Sequence, residues 1–93
     1  MGASMPSCDE NRAKKILIAK YFKVPTFNMP ENPDSVAAPW FKTLWKEFLA
    51  KGHKSQNPQG IADEFIEFSK NKQAASGKDP LTFLADLNDE AIN

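Results

Sequence analysis

Two side chains in this 93-residue sequence have the reactivity of a nucleophile and its base: the single cysteine, Cys8, and the single histidine, His53. A thiol attacks when a base or a positive dipole lowers its pKa, and a triad needs a third group to orient the base. Cys8 falls in the first turn of the first expected helix, where the dipole has the right sign. His53 lies 45 positions away in Lys51-Gly-His-Lys54, with no orienting group marked out for it. Cys8 therefore reads as a surface thiol. His53 reads as a loop imidazole beside a carbonyl-rich helix end, titrating near neutral pH. One cysteine cannot form an internal disulfide, and one Cys with one His cannot form a structural zinc site. Acidic residues cluster twice: Asp63, Glu64 and Glu67 within one turn, and Asp86, Asp89 and Glu90 near the end. Such spacing could serve a hard cation or an acid/base pair. No Gly-bearing calcium loop accompanies them, so both clusters read as solvated helix faces. The sequence contains no phosphate loop, no Gly-x-Ser-x-Gly turn and no dinucleotide fingerprint. The expectation is a protein that is not an enzyme and takes no metal or cofactor.

Charge is the more informative signal. Twelve basic and twelve acidic residues cancel, yet residues 1–24 hold five basic against two acidic groups, while residues 77–93 hold one against four. This polarity suits docking to a charged partner, packing of the last helix beside the first, or head-to-tail or two-fold self-pairing. The face expected to meet a partner comprises Arg12, Lys15, Ile16, Lys20 and Lys23, together with Lys51, His53 and Lys54. A protein is the expected partner, met by a small interaction module or adaptor acting through occupancy. The size also suits small phage-type proteins that bind and block a host factor.

Nucleic acid is the alternative partner. The run Ile18-Ala-Lys-Tyr-Phe-Lys-Val24 resembles the first helix and turn of helix-turn-helix proteins over seven residues. It departs from that pattern where Lys23 replaces the turn glycine, and Pro25, Pro30 and Pro33 would break a recognition helix. The third helix opens with Asp63, Glu64 and Glu67, which phosphates repel. A third reading places the Lys-flanked aromatic stripe of the second helix on a membrane surface. The opening Met1-Gly2 begins like an acylation signal but has Pro6 where Ser or Thr is needed. No apolar run reaches the roughly 18 residues of a membrane span, and no leader sequence is evident, so a cytoplasmic location is expected.

The elements that must position these residues are marked by caps and breakers. Ser7-Cys8-Asp9-Glu10 fits a capping box for a helix over about 8–23, stopped by Val24-Pro25. A Pro-rich connector follows at 24–34, with Phe27 and Met29 expected on the core. A second helix spans about 36–51, capped by Asp34 or Ser35, or else by Ala38 with Pro39 as first helical residue. It ends at Lys51-Gly52. Asn57-Pro58 opens a third helix that ends at Ser76-Gly77, and Asp79-Pro80 opens a fourth, over 80–90.

Helical periodicity selects the core: Leu17, Ile18, Tyr21 and Phe22; then Trp40, Phe41, Leu44, Trp45, Phe48 and Leu49; then Ile61, Ala62, Phe65, Ile66 and Phe68. The fourth helix contributes Leu81, Phe83, Leu84, Leu87 and Ile92. The β-branched stretch 15–24 has strand propensity, but a lone strand would find no partner, which favours helix. The fold expected is all-α: a compact four-helix domain over residues 7–93, preceded by a flexible N-terminus, residues 1–6.

Overall fold

Proline and glycine set the element boundaries. The computed structural model describes residues 8–92. The expected cap Ser7, the segment 1–6 and the side chain of Ile92 lie outside the described residues. Helix α1 covers Cys8–Phe22, α2 Pro39–Lys51, α3 Pro58–Ser76 and α4 Pro80–Ile92. No strand occurs among the described residues, and the stretch with strand propensity is helical through Phe22. Three helices start on proline at the position where its missing N–H leaves no hydrogen bond unmade. The Asn57 side chain accepts from the Gly60 amide at 2.8 Å, and that of Asp79 from the Thr82 amide at 2.7 Å. Lys51 and Ser76 are followed by glycines with φ of 93° and 72°. These stops need the left-handed region that a side chain disfavours.

The second helix starts later than residue 36. Pro33–Val36 forms a separate 3-10 turn, in which the Asn32 side chain accepts from the Asp34 amide. Ala38 is extended at ψ 156°, as a residue before proline must be, and so becomes the cap. Ala38 has no side-chain acceptor to offer. Asn88 of α4 supplies one instead, its Oδ1 accepting from the Trp40 amide at 2.8 Å. The connector also holds a 3-10 turn at Thr26–Asn28. Lys14 of α1 is tied to Asp34 at 3.2 Å, and Pro33 is buried.

The core is aromatic. Phe65 stands at its centre, with ring centroids 5.4 Å from Phe41, 5.6 Å from Trp45 and 5.5 Å from Phe48. Leu17, Ile18, Leu44 and Ile61 are the large aliphatic side chains that are fully buried, each burial stabilising the fold by about 1.5–3 kcal/mol. Trp40 and Trp45 are buried too, so the aromatic stripe of α2 faces inward. Helix α1 rests mainly on α3, and α4 mainly on α2. The acidic last helix therefore packs on α2 rather than beside the basic first helix. Two expected core members point outward: Phe27 is 85% exposed and Leu81 82% exposed. Phe27 sits in a three-residue turn that packs only lightly on α1, and Leu81 lies in the first turn of α4 with its side chain left in solvent.

Candidate interaction surface

The basic residues of α1 form one outer arc. Arg12, Lys15, Lys20 and Lys23 are exposed, and none makes an ion pair among the described residues. Ile16, on the same side, is half-buried and packs against the core. Lys23 ends the helix with φ 59°, the conformation that a turn glycine would take with less strain. The likeness to a helix-turn-helix stops there, because Pro25 and a 3-10 turn follow in place of a second helix. Four residues beyond Lys23 stands the Phe27 ring, held in its short turn between Pro25 and Pro30.

His53 does not join this arc. Its Nε2 lies 2.7 Å from Glu10 Oε2 and its Nδ1 2.8 Å from the Ser55 carbonyl, and the ring stacks on Phe48 at 5.8 Å. Both partners only accept, so the pair is fully satisfied when both ring nitrogens carry protons. The hydrogen bond to Glu10 accordingly raises the His53 pKa above its ordinary value, against the opposing effect of burial. Successive helical residues are about 100° apart, which places Arg12 about 160° around α1 from Glu10. By the same step Lys15 lies about 140° from Glu10 and Lys20 about 80°, so the loop meets α1 outside the basic arc, and the residues nominated as one face fall on two.

The second face is a groove between the end of α2 and α3, with a volume of about 590 Å³. Lys51 and Lys54 line it, joined by Lys72, Glu64, Glu67 and the half-buried Phe68. The ammonium groups of Lys51 and Lys72 each lie 5.9 Å from the Phe68 centroid, within cation–π range. Lys72 also reaches Glu47 of α2 at 2.5 Å. Glu64 is not a solvated acid. Its two oxygens accept from the amides of Lys54 at 3.0 Å and Ser55 at 2.6 Å, which lowers its pKa. Gly60 lets this loop come close: a Cβ there would stand 1.9 Å from the Ser55 hydroxyl oxygen. In the groove Lys72 pairs with Glu47 and Glu64 holds the loop amides, while Lys51, Lys54 and Glu67, like the cations of the α1 arc, make no ion pair among the described residues.

Cys8 is exposed at the start of α1. The described residues hold no cluster of three or more His, Cys, Asp or Glu side chains placed to bind a metal, and no helix among them is long and apolar enough to cross a membrane. Sequence reasoning missed Phe68 and Lys72 as groove residues and Glu64 as the loop's anchor. Phe68 and Lys72 share the i, i+4 spacing that puts them on one face of α3. Comparison of the chain with known protein families, with curated proteins and with solved structures finds no match.

Proposed function

We propose that this protein is a non-enzymatic interaction module that occupies an acidic face of a protein partner with the outer arc of α1. The observation that carries this reading is the exposure of Arg12, Lys15, Lys20 and Lys23 on one arc without an internal counter-charge among the described residues. Phe27, 85% exposed and close in sequence, supplies the aromatic anchor that protein interfaces favour among charged neighbours. Unpaired cations of this kind steer an acidic partner and speed its association. Binding alone would account for adaptor or blocking activity.

The test compares two charge reversals of equal size. Lys15→Glu with Lys20→Glu alters the proposed arc, and Lys42→Glu with Lys46→Glu alters exposed positions of α2. A protein captured by the parent and by the α2 variant, but lost with the α1 variant while helical circular dichroism is unchanged, supports the reading. Capture indifferent to the α1 change overturns it. The same four cations favour nucleic acid as the second reading, since they could contact phosphates without reading sequence. Retardation of a labelled duplex at about 50 mM salt, lost with the α1 variant, would transfer the arc to that partner.

A further inference from the structure

One ionisable ring ties the loop between α2 and α3 to α1. His53 is bracketed by two oxygens that only accept, Glu10 Oε2 at 2.7 Å from Nε2 and the Ser55 carbonyl at 2.8 Å from Nδ1. An imidazolium donates to both. A neutral imidazole has a single N–H, so in the same position its other nitrogen sets a lone pair against an acceptor oxygen. The charges facing the ring favour the imidazolium: Glu10 from α1 and Glu64 from α3. Helix α2 contributes the uncharged Phe48 ring, stacked on His53, while Lys51 at its end acts on Glu64. The remaining cation, Lys54, is the next residue of the loop and is exposed. The loop also has a pivot before the ring and an anchor after it. Gly52 has φ 93° and nothing within 4 Å of where a Cβ would stand, so its backbone can turn. Past His53, Glu64 holds the amides of Lys54 and Ser55 to α3. Those two bonds keep Glu64 ionised across the neutral range, so the anchor is unchanged when His53 titrates.

We propose that His53 is a pH-operated latch, closed between Glu10 and Ser55 when protonated and swung out of that bracket about Gly52 when neutral. Closing takes up one proton and opening releases it, so acid closes the latch and base opens it. Ser55 stays on α3 through Glu64, and the first turn of α1 loses its tie to the loop. Lys54 and Glu64 line the groove between α2 and α3, so that wall of the groove becomes sensitive to pH. A pH-dependent stability would follow from any tie made best by the charged ring. The latch adds that the ring leaves while the rest of the domain stays folded. It stands on the loop and does not depend on what the α1 arc binds.

Proton NMR of the full chain from about pH 5.5 to about pH 9, the span over which an imidazole changes charge, tests the latch. The chain has one histidine, so its carbon-bound ring protons are identified without ambiguity. At the acid end they are expected to show nuclear Overhauser contacts to the Phe48 ring. These contacts should be lost as the ring titrates, while contacts between Phe41 and Phe65 in the core persist. Glu10→Gln separates the latch from a mere titration. Its amide can turn an N–H toward the neutral Nε2 while Nδ1–H still donates to Ser55, so the bracket is satisfied without charge. This variant should keep the His53–Phe48 contacts at the alkaline end, with helical circular dichroism unchanged. A neutral ring that stays on Phe48 in the parent, or a ring still protonated at the alkaline end, overturns the proposal. So does loss of the core contacts in step with those of His53, or a Glu10→Gln ring released at the same pH as the parent's.

Discussion

The interior between α2 and α3 and the surface formed by the connector and the start of α4 are built from the same kinds of residue with opposite fates. Phe65 has no exposed surface and touches three other core rings of α2, whereas Phe27 is 85% exposed. Leu44 is buried, and Leu81 is not. Hydrophobicity alone does not distinguish these pairs. What differs is what stands opposite: α4 packs on α2 and Phe65 of α3 lies against Phe41, Trp45 and Phe48, while the three-residue turn at Phe27 packs only lightly on α1 and Leu81 stays 82% exposed. In this small domain, periodic apolar positions on long helices become core, and isolated ones on short or flanking segments become surface available for recognition.

The widest gap between the two regions should appear at their phenylalanines. Phe65→Ala empties a site lined by Phe41, Trp45 and Phe48, and is expected to cost about 3–5 kcal/mol in chemical unfolding. For a domain this small, with a total stability of about 5–15 kcal/mol, that is a large share of the whole. An unfolding midpoint little changed in Phe65→Ala would mean that the aromatic cluster is not what holds α2 and α3 together.

Charge divides the molecule in the same way, into a corner that is tied and an arc that is free. His53, 12% exposed, bridges α1 and the loop before α3, and Glu10 raises its pKa in the folded state. A base whose folded pKa exceeds its unfolded value of about 6.5 adds stability that is complete below that unfolded value and is lost as pH rises through the folded one. Stability should therefore fall from pH 6 towards pH 8, and His53→Ala should flatten that slope. At pH 6 the variant is expected to lose about 2 kcal/mol, the range for hydrogen bonds to charged groups. A slope that survives in His53→Ala would assign the effect to another group. Glu64 works with the opposite sign. Its lowered pKa contributes stability above the usual carboxylate range, and that contribution is lost as pH falls through the depressed value.

Much of this organisation was legible in the sequence where signals are local. Asn57-Pro58 and Gly77 delimit α3 at Pro58–Ser76, because a cap and a left-handed stop act within a few residues. The i, i+4 spacing of Trp40, Phe41, Leu44, Trp45 and Phe48 identified the buried side of α2 for the same reason. The connector was not legible in this way. Its prolines forbid a periodic pattern, so nothing local distinguishes an inward Met29 from an outward Phe27. The basic candidates were readable by type, but their division into two faces was not. It follows from the contact of His53 with Glu10, 43 positions apart, and from the phase of α1 between Glu10 and Arg12. Asn88 was invisible as a cap because the amide it serves lies 48 positions earlier.

That long-range cap provides the intermediate case, a polar contact between the two regions. Asn88→Ala removes the acceptor for the Trp40 amide and leaves α2 with no side-chain cap of its own, since its cap residue is Ala38. A loss of about 1 kcal/mol is expected, with faster hydrogen exchange confined to the first turn of α2. Loss of protection across the entire domain would instead place Asn88 among the residues that hold the fold together.

The smallest stability effects belong to the exposed pair, and they sharpen the comparison most. Phe27→Ala and Leu81→Ala remove side chains already in water, so each should change monomer stability by no more than about 0.5 kcal/mol. The same two variants should nevertheless differ in what they disturb. Phe27→Ala is expected to weaken capture of a partner by the α1 arc, and Leu81→Ala to leave that capture unchanged. If Phe27→Ala were instead as damaging to the monomer as Phe65→Ala, the turn would be part of the core in solution, and the division between an inward and an outward set of apolar residues would fail at its clearest point.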